Sequence, residues 1–346
     1  MSFKVRIVPA DRTIDVPVGA TILATALDAG VDYPFGCQSG NCGACKSHLV
    51  RGEVSMEGYS EFALGDAEKE RGLILACRAV PWDDCEVAWL EEDDLIVHPR
   101  RRLDCRVVGI DDATHDIKRI RLAIEAGGPF DFSAGQFASV TFDGCPPRDY
   151  SMANLPGDPV IEFHVRRTAN GATSAYVGER LKVGDPVKVE GPFGTSYLRE
   201  SHRGPIVAVA GGSGLAPIKS VVERALQKGL PQAIHLYVGA RTRRDLYLDD
   251  HFADLARRHA NLHFVPVLSE ETGGAGLRHG LVHEAVAADL AELDGCKAYL
   301  AGPPVMVEAA TRLLEQRGLR RIDIHADAFY TAAEMADAGR KTGAEL

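Results

Sequence analysis

Four cysteines near the start of the chain constrain its fold more than any other feature of the sequence. They have the spacing C-x4-C-x2-C, and the last one follows after 31 further residues. The four residues are Cys37, Cys42, Cys45 and Cys77. This is the ligand spacing of a plant-type 2Fe-2S cluster, which is held largely by one tight loop. Gly36, Gly40 and Gly43 lie among the cysteines and permit the sharp turns that such a loop needs.

A zinc site is the alternative for these four residues. Zinc sites usually consist of two separated C-x2-C pairs, whereas this chain has one x2 pair and one x4 spacing. The spacing therefore favours the iron–sulfur cluster. The other cysteines are scattered along the chain, and we interpret them as buried thiols. They are Cys85, Cys105, Cys145 and Cys296.

The length and composition are those of a multidomain globular protein. The chain has 346 residues, of which 45% are hydrophobic, enough for two or three domains with separate cores. No apolar stretch approaches the ~20 residues that span a bilayer. The first residues alternate in polarity and lack the apolar segment of a signal peptide. We therefore expect a cytoplasmic protein that does not contact a membrane.

The net charge of −10 is concentrated at one end of the chain. Residues 1–98 contain 17 acidic and 8 basic residues, whereas the remainder of the chain is almost balanced. An acidic surface on the first domain can steer a basic protein partner, although a solvated surface that only aids solubility explains the same composition. No basic stripe is present, so nucleic-acid binding is not expected.

Residues 1–95 are predicted to form an α+β domain of the β-grasp ferredoxin type. Residues 3–8 and 13–18 alternate in polarity like strands. Thr21–Ala29 has helical spacing and is followed by a glycine. A further strand, Lys46–Val50, comes directly after the cysteine loop.

The next segments predict a linker and an antiparallel β-barrel. Residues 96–102 are charged, contain a proline and follow the acidic stretch Glu91–Asp94, so we interpret them as a linker. Residues 103–200 contain strand signals separated by turn residues, and one helix is predicted to start near Ser174. The predicted strands are Cys105–Ile110, Ile117–Ile124, Phe137–Phe142, Val160–Arg166 and Pro186–Glu190.

Residues 201–346 change to an alternation of apolar strands and helices. This alternation predicts an α/β domain with a doubly wound parallel sheet. The predicted strands are Ile206–Ala210, His235–Val238, Leu262–Pro266 and Ala298–Ala301. The predicted helices cover residues 216–228, 249–259, 281–290 and 304–317.

The barrel segment contains residues that suit a flavin. Arg148–Ser151 (RDYS) lies at the end of a predicted strand, where arginine can hold a phosphate, tyrosine can lie on a flat ring and serine can reach a ring nitrogen. Taken alone, these residues are usually a surface arginine and a core tyrosine. His164–Arg166 follows, and Asn170–Ser174 then opens a predicted helix. The N-terminus of such a helix suits the pyrophosphate of a flavin cofactor.

Two glycine loops in the third domain suit a nucleotide. Gly211–Pro217 (GGSGLAP) lies between a predicted strand and a predicted helix, where the backbone is accessible and the helix dipole favours phosphate. It does not match the fingerprint G-x-G-x-x-G, and a purely structural turn is the alternative. Gly302–Pro304 follows another strand. Because ligands bind outside the carboxyl ends of parallel strands, both loops are expected to border one crevice.

Taken together, these motifs resemble a known family along the whole chain, the flavin and iron–sulfur reductase components of bacterial aromatic-ring oxygenases. Each motif alone is unspecific, but their combination and order are specific. The stretches that carry the likeness are Val97–Pro99, Thr114–Ile117, Ala134–Gln136, Arg148–Ala153, Glu162–Arg166, Gly194–Thr195, Gly211–Pro217 and His325–Tyr330. The resemblance implies FAD in the barrel, NADH or NADPH in the third domain, and export of electrons from the cluster.

The resemblance also implies roles for individual residues. The phosphate, the ring and the N5 edge of FAD would be held by Arg148, Tyr150 and Ser151. The ribityl and pyrophosphate side would be lined by His164, Val165, Arg166, Gly171, Thr173 and Ser174. The nicotinamide nucleotide would be held by Gly212, Ser213, Gly214, Gly302 and Pro303. Phe329 would cover the flavin ring where nicotinamide enters, with a buried aromatic of the last strand as the alternative. Ser151 and Phe329 are therefore the catalytic candidates.

Two features depart from the family pattern. Many members have a cysteine just before G-P-P, where this chain has Ala301, and the chain continues for 16 residues after Tyr330. The missing thiol implies a different geometry near the reacting nicotinamide.

The choice between NADH and NADPH depends on the loop after the strand His235–Val238. This loop contains Arg241 and two further arginines, where the adenine ribose is expected, and the nearest acidic residue is Asp245. The arginines can tolerate a 2′-phosphate or simply be solvated. The resemblance favours NADH, and NADPH is possible.

These assignments predict an NAD(P)H-dependent oxidoreductase. NAD(P)H gives two electrons to FAD as a hydride, and the cluster takes electrons one at a time, so no acid–base triad is required. The expected acceptor is a terminal Rieske-type oxygenase or an intermediate ferredoxin, and the reductase is expected to be monomeric. The same electron chain can serve a diiron monooxygenase or a deoxysugar dehydrase. A non-enzymatic redox or zinc module is the remaining alternative.

Overall fold

The computed structural model describes residues 1–90, 96–169, 171–271 and 277–330. These residues form two compact units, one built on Met1–Val97 and the other on His98–Phe329. The acidic stretch Glu91–Asp94, residue Asn170 and the residues after Tyr330 lie outside the described residues. Among the helices that are described, none is long and apolar enough to cross a bilayer.

The first unit is a mixed five-stranded sheet with a short helix packed on it, as the β-grasp expectation requires. Its elements are β1 (Ser2–Ile7), β2 (Arg12–Pro17), α1 (Ile22–Asp28), β3 (Lys46–Arg51), β4 (Val54–Met56), α2 (Asp66–Glu70), β5 (Leu73–Leu75), β6 (Ala79–Pro81) and β7 (Cys85–Trp89). The main sheet has the order β2-β1-β7-β3-β5, in which β1 and β7 are parallel, and β4 pairs separately with β6. Helix α1 begins after Thr21, whose hydroxyl accepts a hydrogen bond from the N–H of Ala24 at 3.3 Å.

The second unit begins with a six-stranded antiparallel sheet that curls into a nearly closed barrel. Its elements are β8 (Arg101–Asp112), β9 (Ile117–Ala126), β10 (Phe137–Phe142), β11 (Arg148–Ser151), β12 (Val160–Arg166), α3 (Ala172–Glu179) and β13 (Pro186–Phe193). The strand order is β11-β10-β13-β8-β9-β12, and a bridge between Met152 and Phe163 joins the two ends of the sheet. The predicted barrel is thereby confirmed. Strand β8 begins at Arg101, inside the segment that the sequence predicts as a linker.

The remainder of the second unit is a parallel six-stranded sheet with helices between its strands. Its elements are β14 (Ile206–Gly211), α4 (Leu215–Gln227), β15 (Ile234–Ala240), α5 (Asp249–Arg258), β16 (Leu262–Leu268), β17 (Arg278–His279), α6 (Val282–Asp289), β18 (Lys297–Gly302), α7 (Pro304–Gln316) and β19 (Ile324–Ala328). The strand order is β17-β16-β15-β14-β18-β19. The doubly wound sheet is confirmed, and the bounds of all four predicted helices agree with the structure to within one residue.

Direct contacts join the barrel to the parallel sheet within the second unit. The Lys219 ammonium on α4 donates to the carbonyl oxygen of Ala153 at 2.8 Å, and the Ser220 hydroxyl donates to that of Asn154 at 2.7 Å. Both acceptors lie just after β11, the strand that carries the RDYS motif. The flavin motif is therefore held against the helix that follows the first glycine loop.

Candidate cofactor sites

The four predicted cluster ligands come together in the first unit. Cys37, Cys42 and Cys45 lie in the loop between α1 and β3, and Cys77 lies between β5 and β6. The N–H of Cys37 donates to Sγ of Cys42 at 3.3 Å, and the N–H of Cys77 donates to Sγ of Cys45 at 3.5 Å. The N–H of Asn41 donates to Sγ of Cys37 at 3.3 Å. Backbone donors therefore already point at the sulfurs, as an iron–sulfur site requires.

The loop glycines serve two different purposes. Gly40 and Gly43 have φ angles of 78° and 76°, a region that disfavours side chains, so they allow the turns predicted from the sequence. Gly36 is needed for space, because a Cβ there would lie 3.0 Å from Sγ of Cys42. A hydrogen bond from the Cys42 thiol lowers the pKa of Cys37, against the opposing effect of burial. The donor set and its surroundings fit a 2Fe-2S cluster.

The RDYS motif forms strand β11 at the edge of the barrel sheet. Arg148 is exposed, and Tyr150 is half-buried against the barrel core. Ser151 is buried, and its hydroxyl donates to the carboxylate Oδ2 of Asp327 at 3.3 Å. Asp327 lies on β19 of the parallel sheet, so β11 and the last strand meet at the expected flavin ring. Sequence reasoning gave Asp327 no role.

The N-terminus of helix α3 fits a pyrophosphate. Its N-cap residue is Gly171, which itself offers no side-chain acceptor to the first N–H groups of the helix. A Cβ on Gly171 would overlap the hydroxyls of Thr168 and Ser174. The hydroxyl of Thr173 donates to the carbonyl oxygen of Pro146 at 3.3 Å, and that of Ser174 to Gly171 at 3.1 Å. These hydroxyls shape the loop, and the backbone N–H groups are the donors suited to FAD.

The three predicted flavin residues on strand β12 have side chains on opposite faces of the strand. Val165 points into the barrel core. His164 and Arg166 point to the opposite face, towards the parallel-sheet domain, because successive side chains alternate along a strand. The guanidinium of Arg166 pairs with Asp116 at 2.8 Å and lies against Gly212, where a Cβ would be 2.9 Å from Nη1 of Arg166. Arg166 therefore lies at the first glycine loop.

The two glycine loops lie side by side, as the sequence predicts. Their strands β14 and β18 pair in parallel up to Ala210 and Ala301. A Cβ on Gly214 would overlap the carbonyl oxygen of Ala301, and a Cβ on Gly302 would lie 2.7 Å from that of Gly211. Ser213 is half-buried at the start of α4, and Pro303 is the N-cap of α7. The two loops therefore lie together at the carboxyl ends of β14 and β18, and glycine at positions 214 and 302 allows their backbones to approach closely.

Phe329 lies beside the second glycine loop. It follows β19, its N–H donates to the carbonyl oxygen of Gly302 at 2.9 Å, and its ring is half-buried against the core of the parallel-sheet domain. Asp327, two residues earlier, contacts Ser151. The flavin strand, the second glycine loop and Phe329 therefore converge.

Arg241 lies just beyond β15 and is exposed. The nearby Asp245 is engaged, since its Oδ2 accepts hydrogen bonds from the N–H and the hydroxyl of Thr242 at 3.0 and 2.8 Å. Its other oxygen lies 3.9 Å from Nη2 of Arg241. The Asp245 carboxylate therefore fixes the loop conformation through Thr242 and partly neutralises the positive charge of Arg241.

Replacing Phe329 with alanine is expected to lengthen the residence of nicotinamide on the flavin. A ring that covers the flavin face must be displaced before hydride transfer, at a cost of about 0.5–1.5 kcal/mol in stacking. We expect tighter binding of the oxidised nucleotide and a stronger charge-transfer band in Phe329→Ala, measured by absorbance titration. Phe264→Ala is the matched control, because Phe264 packs half-buried against the same core. A loss of thermal stability in both variants, with nucleotide affinity unchanged, would reduce Phe329 to a core residue.

Three family models match the chain in the order of its predicted domains. A 2Fe-2S iron-sulfur cluster binding domain matches residues 5–81. An oxidoreductase FAD-binding domain matches residues 104–197, and an oxidoreductase NAD-binding domain matches residues 208–312. The three expected cofactors, a 2Fe-2S cluster, FAD and NAD(P)H, are thereby confirmed.

Similar proteins extend over nearly the whole chain. The ferredoxin–NAD(P)+ reductase component of naphthalene 1,2-dioxygenase/salicylate 5-hydroxylase systems from Ralstonia sp. is 40% identical over 323 residues, which cover 93% of this chain and 97% of the relative. The reductase component of phenol 2-monooxygenase from Pseudomonas sp. (strain CF600) is 38% identical over 343 residues and covers 97% of each chain. The crystal structure of a cytochrome P450 reductase from Amycolatopsis has a TM-score of 0.78 at 36% identity and covers 96% of this chain and 100% of that chain.

Proposed function

We propose a specific partner for this chain, which belongs to the family of ferredoxin–NAD(P)+ reductase components of multicomponent oxygenase systems. The chain is an NAD(P)H-dependent flavin and iron–sulfur oxidoreductase. Its partner is a terminal aromatic-ring dioxygenase of the Rieske type, which it reduces directly or through a small ferredoxin. The observation that carries this proposal is the likeness to the Ralstonia reductase, whose name places it in a dioxygenase and hydroxylase system.

The chain's own residues divide the work as follows. The thiolates of Cys37, Cys42, Cys45 and Cys77 hold the cluster. Arg148 and the N-terminus of α3 hold the phosphates of FAD, and Gly212–Gly214 with Gly302 hold the nucleotide. Bound FAD supplies the conversion of a hydride into single electrons. Ser151 and Phe329 orient the two rings. The predicted boundaries at residues 95 and 200 separate the domains that hold these cofactors, whereas the boundary at residue 102 falls within β8.

A reconstituted assay tests the partner. The reductase, NADH and a purified aromatic-ring dioxygenase, with and without its ferredoxin, are expected to yield dihydroxylated product in proportion to the NADH consumed. The same assay with a phenol monooxygenase gives the comparison. Faster product formation with the monooxygenase would overturn the dioxygenase proposal, while leaving the reductase activity established.

A monooxygenase partner is the second candidate, and one observation favours it. The phenol 2-monooxygenase reductase from Pseudomonas is almost as similar as the Ralstonia protein and covers slightly more of the chain. Relatives with the same architecture belong to different oxygenase systems. We therefore expect the surface that contacts the oxygenase to determine which oxygenase the chain reduces. A monomeric, cytoplasmic reductase stays a prediction for either partner.

NADH is expected to be the better electron donor. Asp245 is engaged with Thr242 and lies within 3.9 Å of Arg241, so this carboxylate opposes a second negative charge at the loop. A 2′-phosphate would have to compete with it for the arginine. Measured kcat/KM is expected to be higher for NADH than for NADPH, and a tenfold preference for NADPH would contradict the assignment.

A further inference from the structure

A buried series of hydrogen bonds connects barrel strand β12 to the first glycine loop. Nδ1 of His164 lies 2.9 Å from the hydroxyl of Tyr247, and that hydroxyl lies 3.3 Å from the carbonyl oxygen of Gly212. At its other end, Nε2 of His164 lies 3.0 Å from Oε1 of Glu162. His164 and Tyr247 are almost fully buried, at 3% and 6% exposure. Tyr247 lies in the segment between β15 and α5. It therefore links this segment to both β12 and the first glycine loop.

These three hydrogen bonds cannot all form at once while His164 is neutral, because one proton too few is available. An ionised Glu162 only accepts hydrogen bonds, so Nε2 of a neutral His164 must carry the single ring proton. Nδ1 is then an acceptor, and Tyr247 must donate to it. The one hydroxyl proton of Tyr247 cannot at the same time go to Gly212. When His164 is protonated, Nδ1 donates to the tyrosine oxygen, and Tyr247 donates to Gly212.

Charged groups from three elements surround His164. Glu162 lies on its own strand, Arg119 is its direct partner on β9, and Lys219 on α4 lies 3.7 Å from Glu162. Burial raises the pKa of Glu162, but His164 and Lys219 hold it at about 2, so this carboxylate stays ionised. Burial lowers the pKa of His164, and Glu162 opposes that shift while Lys219 and Arg119 reinforce it. The pKa of His164 therefore lies below its ordinary value, so the neutral form predominates at physiological pH and His164 is protonated only at a lower pH than a free histidine.

We propose that Tyr247 is a positioning residue for the nucleotide loop, and that the proton on His164 decides whether Tyr247 holds β12 or Gly212. The proposal rests on the role of Gly212–Gly214 as the nucleotide loop. In the protonated state, the loop carbonyl gains a donor and a positive charge lies behind the loop. Both effects favour the anionic pyrophosphate of the nucleotide. The affinity for nucleotide is thus expected to rise as pH falls below about 6.5.

The test measures the dissociation constant of NAD+ by calorimetry, on the protein loaded with FAD and the cluster, from about pH 8 to about pH 5. Tyr247→Phe keeps the ring and removes the hydroxyl. It is expected to bind NAD+ about two- to tenfold more weakly than the wild type at low pH, and the difference is expected to close as pH rises. His164→Gln mimics the neutral pattern, since its amide donates to Glu162 and its carbonyl accepts from Tyr247. Its NAD+ affinity is expected to lose the rise at low pH.

Tyr237→Phe is the matched control. Tyr237 is a buried tyrosine of the same domain whose hydroxyl donates to Asp289 at 3.2 Å, so the control removes a buried hydroxyl away from the loop. It is expected to keep the wild-type pH profile. A constant difference between Tyr247→Phe and wild type at every pH, or none, would overturn the proposal. Gly212→Ala tests the separate premise that Gly212–Gly214 holds the nucleotide, because the added Cβ would collide with Arg166 beside this loop. Unchanged NAD+ affinity in Gly212→Ala would instead overturn the assignment of the loop.

Discussion

Replacing Cys42 with serine is expected to remove the cluster and stop electron export while FAD remains bound. Serine provides no thiolate, and Sγ of Cys42 accepts a backbone hydrogen bond within the loop. FAD should stay because the flavin residues belong to the other compact unit, which has its own core. Iron analysis is expected to fall from about two irons per chain to none, with flavin absorbance retained.

Cys85→Ser is the control for this experiment. Cys85 is a buried thiol on β7 in the same unit, outside the cysteine loop, and burial raises its pKa to about 11. This variant is expected to keep its iron. Retention of about two irons in Cys42→Ser would remove Cys42 from the ligand set.

Replacing Arg148 with alanine is expected to weaken FAD binding about tenfold to hundredfold. A charge-assisted hydrogen bond from arginine to phosphate contributes about 1.5–3 kcal/mol, and the exposed Arg148 is placed to make one from the edge of the barrel. The cluster should be unaffected. The measurement is the flavin content that remains after dilution and gel filtration.

Arg102→Ala is the matched variant for Arg148. Arg102 is an exposed arginine on barrel strand β8 that pairs with Glu190 at 3.1 Å, away from the flavin strand. It is expected to keep full flavin. If Arg148→Ala retains as much flavin as Arg102→Ala, Arg148 is a surface arginine and another residue holds the phosphate.

Features that depend on short sequence spacing could be predicted from the sequence. The cysteine loop is such a feature, because its turns and three of its ligands lie within nine residues, Cys37–Cys45. The helices of the parallel-sheet domain are another, since their apolar periodicity and capping are local. The bounds of β19 were not predicted, because this short strand contains His325 and Asp327 and lacks the continuous apolar run of the other predicted strands of the parallel sheet.

Individual side-chain contacts between distant segments could not be predicted. Ser151 and Asp327 are 176 positions apart, and His164 and Tyr247 are 83 apart, so no motif links either pair. The directions of the side chains on β12, however, could have been predicted from the sequence. Adjacent strand residues point to opposite faces, so His164 and Val165 cannot direct their side chains at the same ligand surface.

The central claim is that this chain moves electrons from NAD(P)H through FAD to a cluster held by four thiolates. Anaerobic addition of one equivalent of NADH, followed by electron paramagnetic resonance and absorbance on the same sample, tests it most directly. The account predicts that the wild type loses flavin absorbance and gains the signal of a reduced 2Fe-2S cluster, whereas Cys42→Ser loses flavin absorbance and gains no cluster signal. Flavin reduction with no cluster signal in an iron-loaded wild type would contradict the account.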